Sequence, residues 1–178
     1  MAFYNGPINP DGFPFYGYGD HLLTTSQAEV EDAQNRWGYT YEHVVGYVYP
    51  ANVSVGPQWV PLYRLASENV PCGDHFYTTR QTTVDAAKSA GYKEEGAQCT
   101  VAAAGSSPPS SVTMYRLYLS WNGDHLYSEN TDEIKDAIDN HDYEYDSDHE
   151  GRAAFRVVNR PATGLIPLHR LVRNKEWE

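Results

Sequence analysis

Three dipeptides, Asp20-His21, Asp74-His75 and Asp124-His125, are the residues of this chain best suited to chemistry. A carboxylate beside an imidazole is the material of a general acid–base dyad. Each dipeptide follows a glycine and opens a run of alternating, β-forming residues. Adjacent side chains therefore leave on opposite faces of a strand, and no dyad forms within one dipeptide. Two readings stay open. In one, the Asp closes a turn by accepting backbone N–H groups, and the His is a partly buried donor to a neighbouring carbonyl. In the other, carboxylate and imidazole meet sugar hydroxyls at the end of each strand.

Three arginines recur beside them: Arg64, Arg116 and Arg170. A guanidinium offers five donors in a fixed fork that suits a carboxylate. The candidate partners are the Asp of a neighbouring Gly-Asp-His, or Glu42, Glu95 and Glu150; the alternative is three equivalent sugar pockets. Aromatics in the loop before Gly-Asp-His vary: Tyr16 and Tyr18 in the first copy, Trp121 in the third, none in the second. Loops on a rigid scaffold are free to serve recognition. Tyr18 with Asp20, and Trp121 with Asn122 and Asp124, combine a flat apolar face with polar groups for hydroxyls, although the same aromatics would also serve as loop anchors. The acidic run Asp142–Glu150 offers alternating carboxylates to Ca²⁺ but lacks the EF-hand spacing, and a solvated loop is its plain reading. The chain has no Gly-x-Ser-x-Gly, no Walker loop, no Gly-x-Gly-x-x-Gly and no His-Glu-x-x-His. We expect no cofactor, no metal and no catalysis.

The elements that position these residues repeat three times. Gly19-Asp-His-Leu-Leu-Thr-Thr25 recurs as Gly73-Asp-His-Phe-Tyr-Thr-Thr79 and as Gly123-Asp-His-Leu-Tyr-Ser-Glu129, with the Asp positions 54 and 50 residues apart. Leu62-Tyr-Arg-Leu65 recurs as Met114-Tyr-Arg-Leu117 and Leu168-His-Arg-Leu171, with the Arg positions 52 and 54 apart. Two motifs in phase mark an internal repeat. Each unit reads as strand, strand, short helix, strand. The helices are predicted over Gln27–Trp37, Arg80–Ala90 and Thr131–Asn140. Capping boxes at Ser26/Glu29 and Asn130/Glu133, and a cap at Thr79, mark their starts, and Gly38 and Gly91 mark two of their ends. A third β-run follows each helix: Glu42–Tyr49, Glu95–Val101 and Glu150–Val157.

The first copy lacks its own Tyr-Arg strand, and the C-terminus has one to spare. The sequence therefore predicts a mainly β, closed pseudo-threefold single domain with one short helix per repeat, β-trefoil-like or three-bladed, the C-terminal strand pairing beside the N-terminal segment. The repeats span about 13–60, 61–112 and 113–166, with 167–172 completing the first. An open stack of three repeats is the alternative.

Composition narrows the class. A length of 178 residues suffices for a real core, and 40% hydrophobic residues with 13% aromatics exclude a disordered chain. A net charge of −11 argues against nucleic acid or an anionic membrane surface as partner. No apolar stretch is long enough to insert in a membrane. The start, Met1–Phe13, has neither the basic nor the apolar region of a secretory signal; the expectation is a cytoplasmic protein, to which non-classical release stays open, and the alternative is a leader removed before this numbering begins. Cys72 and Cys99 are too few for a disulfide framework; a single bridge and two free thiols both remain open.

Tyr-Arg-Leu, then Gly-Asp-His-Phe-Tyr-Thr-Thr, then a helix, Gly-Tyr and Glu-Gly resembles a tandem-repeat family of fungi and bacteria, known as small proteins or as modules appended to secreted hydrolases and peptidases. The resemblance runs from about Phe13 to Val172. The middle copy matches best; the third replaces Thr-Thr by Ser128-Glu129 and carries the acidic insertion. The resemblance implies a threefold lectin-like domain similar to the cytosolic lectins of mushroom fruiting bodies, acting in defence or storage. The expected function is then non-catalytic binding of glycans or glycoproteins through up to three related pockets. The candidate residues are Tyr18, Asp20, His21, Arg64, Asp74 and His75, with Arg116, Trp121, Asn122, Asp124, His125 and Arg170. The alternatives are a protease inhibitor presenting the Ser106–Ser111 loop, or a weak hydrolase using the Asp, His and Arg set.

Overall fold

The computed structural model describes residues 19–70, 73–146 and 153–173. Among these the chain is mainly β with three helices, in the order β1 (His21–Thr24), α1 (Gln27–Arg36), β2 (Thr40–Pro50), β3 (Trp59–Ser67), β4 (Asp74–Thr78), α2 (Gln81–Ser89) and β5 (Lys93–Ala102). Then come β6 (Ser111–Leu119), β7 (Asp124–Ser128), α3 (Thr131–His141), β8 (Glu144–Tyr145), β9 (Ala153–Val158) and β10 (Ile166–Val172).

The helices lie within a residue or two of their predicted spans, and two start as expected. Ser26 Oγ accepts from the Glu29 N–H at 3.2 Å, and Asn130 Oδ1 accepts from Asp132 and Glu133. The expected cap at Thr79 is corrected: Arg80 holds the N-cap position of α2 and makes no side-chain cap bond. Arg80 lies 54 residues after Ser26, so the helix begins at the repeat-equivalent residue and Thr79 falls one position too early. Gly38 and Gly91 end α1 and α2 with φ of +73° and +98°; Asp142 does the same for α3 at +59°.

The strands fall into three antiparallel groups, β1-β10-β2, β4-β3-β5 and β7-β6-β9, with the short β8 also on β6. The C-terminal strand does pair with the N-terminal repeat, His21 opposite Val172 and Thr24 opposite His169. The groups join where β2, β5 and β9 pair over only one or two residues. The hydrogen-bonded sheet as a whole is open rather than closed, because β1, β4 and β7 each pair on one side only. Their inner edges meet at the centre of the molecule, and there side chains take the place of a ladder. The Tyr77 hydroxyl accepts from the Leu23 N–H and donates to the Leu23 carbonyl, both at 2.8 Å. The Tyr127 hydroxyl treats the Tyr77 backbone the same way, at 2.7 and 2.9 Å. Buried backbone groups must be satisfied, and an unpaired edge invites foreign strands; two phenols meet both demands.

The central core holds twelve buried residues, four per copy: Leu62, Tyr77, Cys99 and Val101 in the second, Met114, Tyr127, Phe155 and Val157 in the same places of the third, and Leu168, Leu23, Val45 and Val48 in the first, where Gly46 faces Leu168 as Cys99 faces Leu62. Each helix covers a smaller cluster of its own: Leu22 with Val30 and Ala33, Phe76 with Val84, Leu126 with Ile134 and Ala137. Cys99 is a buried free thiol whose pKa burial pushes up to about 12; Cys72 lies outside the described residues. Among the described residues no helix is long and apolar enough to cross a membrane.

Candidate functional site

The Gly of each Gly-Asp-His sets the Asp at the start of its strand. Gly73 and Gly123 have φ of +78° and +84°, and a Cβ there would lie 2.6 Å from Arg173 and Val70 respectively. Only glycine fits. Asp20, Asp74 and Asp124 are then buried at the centre, with carboxylate oxygens of all three within 4.8 Å of one another.

Each of these carboxylates serves the next copy. Asp20 Oδ1 accepts the His75 N–H at 2.7 Å and Oδ2 meets His75 Nδ1 at 2.6 Å. Asp74 does the same for His125 at 2.9 and 2.7 Å, and Asp124 for His21 at 3.1 and 2.8 Å, completing a cycle. A tyrosine hydroxyl from the residue run after each helix, Tyr39, Tyr92 or Tyr143, donates to the same Oδ2. Neither sequence expectation for these pairs describes this geometry. The Asp bonds a distant backbone rather than a local turn, and the His bonds a carboxylate rather than a carbonyl. Although the acid cluster resembles a cation site, its oxygens are engaged by imidazole, amide and phenol donors.

Electrostatics follows. Burial alone would lower the pKa of each His, but the facing Asp outweighs it and all three are raised, His125 to about 9. Burial would raise Asp20, but His75, Tyr39 and Arg173 together lower it. In each pair the facing carboxylate therefore favours the imidazolium, and an imidazole held as imidazolium is a donor, not a general base.

The arginines form a second ring outside the first. Arg64 Nε donates to Glu95 at 2.6 Å, and its two terminal nitrogens donate to Glu29 at 2.9 and 2.8 Å. Arg170, fully buried, holds Glu42 at 2.7 Å and Glu133 at 2.5 Å. Arg116 Nε lies 2.6 Å from Asp146; Glu150, the partner expected there, lies outside the described residues. Glu29 and Glu133 were missed as site residues because they occupy the capping-box position. In the structure they reach forward to the arginine, and Thr24 Oγ1 takes the Ser26 N–H instead. A Glu at the third helical position followed by an in-phase Arg was the available signal.

These rings bound a cavity of about 320 Å³ between the first and second copies, lined by Glu29, Asp32, Trp37, Arg64, His75 and Glu95 among others. Its volume reaches the lower end of the usual range for small-molecule sites, about 300 Å³. Trp37 stands at its rim, 56% exposed, its indole N–H donating to Asp32 at 2.9 Å. Trp37 carried no motif and went unread; its signal was a large aromatic at the end of an otherwise polar helix.

The remaining expected residues sit elsewhere. Trp121 is half-buried against the cluster around Leu117 and Leu126, and the buried Asn122 bonds the Asp124 N–H at 2.9 Å. Asn122 thus braces the loop, and Trp121 packs one side of it. Tyr16 and Tyr18 lie outside the described residues.

A sequence-family profile matches residues 15–102 and again residues 61–177. The chain belongs to that family, Domain of unknown function (DUF5648). The two DUF5648 matches overlap and begin about one motif spacing apart. No curated protein and no solved structure matches the chain.

Proposed function

We propose that this DUF5648 protein binds carbohydrate without catalysis, on a pseudo-threefold, three-bladed scaffold. One observation carries the reading: an exposed indole, Trp37, lines a cavity of about 320 Å³ together with the carboxylates of Glu29, Asp32 and Glu95. A sugar ring presents an apolar C–H face, which an indole matches, and a rim of hydroxyls, which carboxylates accept. Of the side chains read from the sequence, Asp20, Asp74, His75 and Arg64 then line this pocket. No catalytic step is part of the proposal, because the facing Asp20, Asp74 and Asp124 each engage an imidazole at Nδ1 and raise its pKa.

A glycan array probed with wild type and Trp37→Ala tests this. Selective binding that is lost in the variant, at an unchanged melting temperature, supports the reading. No binding to any glycan at high micromolar protein sinks it. Binding that survives Trp37→Ala moves the site away from this cavity.

A further inference from the structure

Two of the three copy boundaries carry the same cavity, and among the described residues the third is crowded by aromatic rings. A shift of 104 residues, the distance from Asp20 to Asp124, carries Glu29 to Glu133, Asp32 to Asp136 and Trp37 to His141. Those residues line a cavity of about 220 Å³ between the third and first copies, together with His21, Glu42 and Tyr143. His21 and Glu42 stand there as His75 and Glu95 stand in the larger cavity, and the buried Arg170 replaces Arg64 beneath the two glutamates. The acceptor set is thus conserved in kind and in place. The rim differs: His141, bonded to Asp136 at 3.2 Å, is flat but smaller than an indole, and Val172 stands where Ala66 leaves room.

At the remaining boundary, between the second and third copies, the described residues differ in type. Thr83 stands in place of Glu29, and Ala90 in place of Trp37. Tyr118 replaces Ala66, and its ring lies 4.7 Å from that of His125. Phe76 replaces Leu22, 4.9 Å from the other side of His125 and 4.7 Å beneath the Arg116 guanidinium. Among the described residues, two aromatic rings thus stand where the other two boundaries carry Leu22 with Ala66 and Leu126 with Val172.

We infer that the protein is bivalent, with a second, weaker carbohydrate site in the cavity at His21, Glu42, Glu133, Asp136 and His141, and none at the boundary closed by Phe76 and Tyr118. The inference rests on the carbohydrate reading above. The ligand class is a neutral or amine-bearing sugar, because acidic side chains outnumber basic ones in both linings, Glu29, Asp32, Glu68 and Glu95 among those of the larger cavity and Glu42, Glu133 and Asp136 in the smaller, and would repel an acidic sugar.

Titration calorimetry and amide NMR with deacetylated chitotriose test it, on wild type, Trp37→Ala and the double variant Asp136→Asn/His141→Ala. Asp136 and His141 are partly exposed, and melting temperatures confirm that each variant folds. The expected result is two equivalents per chain, the second about tenfold weaker for want of the indole face. Shifts should appear separately around Ala33 and around Ala137, and each variant should lose one set. One equivalent, abolished by Trp37→Ala, would overturn bivalency while leaving the carbohydrate reading intact. Three equivalents would overturn the closure argument. No binding of chitotriose, with other glycans bound on the array, would overturn the ligand class, and no binding of any glycan would overturn both readings.

Discussion

The Asp–His cycle makes alkaline destabilisation the most informative experiment on this fold. His125 is the sharpest case. Asp74 holds its Nδ1 at 2.7 Å and Asp146 lies 3.5 Å from its Nε2, while Arg116 opposes them and the rings of Phe76 and Tyr118 pack on it. Burial disfavours the imidazolium, the two carboxylates favour it, and the balance raises its pKa from 6.5 to about 9. Because the folded pKa lies above the unfolded one, the stabilisation is complete below pH 6.5 and is lost as the pH climbs through 9. A shift of this size corresponds to roughly 3 kcal/mol, or about 6–12 °C in melting temperature for a chain of this length. His21 and His75 are displaced in the same direction, so the real slope should be steeper than one proton. Urea unfolding from pH 5.5 to 10, with the His125 ring titrated by NMR, measures both quantities. A stability that is flat or rising between pH 6.5 and 9.5, or a His125 midpoint at or below 6.5, would refute the ion-pair assignment.

Other perturbations probe the remaining parts. Asp124→Ala strips both contacts from His21 and the acceptor from Tyr143; urea unfolding should show a loss of about 3–5 kcal/mol, with Asp124→Asn in between. Tyr77→Phe leaves the Leu23 N–H and carbonyl without the phenol that serves both. It should cost about 1–3 kcal/mol and speed hydrogen exchange at the Leu23 amide in particular. Asn130→Ala removes the α3 cap and should cost about 1 kcal/mol in thermal melts without touching either cavity. On the acid side, Asp20 has its pKa lowered by His75, so its contribution holds above pH 3.8 and disappears below it as the carboxylate protonates. A shallower acid limb in Asp20→Asn unfolding curves checks this.

Much of the local structure was legible because it depends on neighbours in sequence. Ser26, Asn130, Gly38 and Gly91 announce helix ends through interactions that span only a few residues. The pairing of β10 with β1 was legible from the phase of the repeat alone. The centre was not, because every bond there crosses between copies: Asp20 reaches His75, 55 positions away, and Asp124 reaches His21, 103 positions away. The alternation rule correctly forbade a dyad within a dipeptide but is silent on pairing between dipeptides. Closure failed for a related reason. The tyrosines that sit in the repeat as furniture, Tyr77 and Tyr127, cap strand edges with their hydroxyls, so the edges need no ladder. The cavity rim was illegible because Trp37, Ala90 and His141 share no residue type, and a motif search sees only likeness.

That unlikeness is where the molecule departs from its own symmetry, and it does so in a correlated way. The ring of Asp, His and Tyr is the same three times over, which suits a scaffold whose copies must dock on one another. Around it, Glu29 and Glu133 accompany open cavities, and Thr83 accompanies a filled one. The coupling has a physical cause. A buried guanidinium must have its charge answered. Arg64 and Arg170 are answered by two carboxylates each, one from the third strand and one from a helix, and the small or narrow residues Ala66 and Val172 leave space beside them. Beside Arg116 the helix carries Thr83, and Asp146, the Tyr77 carbonyl and the face of Phe76 are among the groups that meet its guanidinium. A ring large enough to cover the guanidinium also fills the cavity, so losing the helix glutamate and closing the pocket are one substitution pattern. Thr83→Glu by itself should therefore not open the third boundary. Opening it requires Phe76→Leu and Tyr118→Ala as well, and the triple variant is the one expected to gain a third equivalent of sugar.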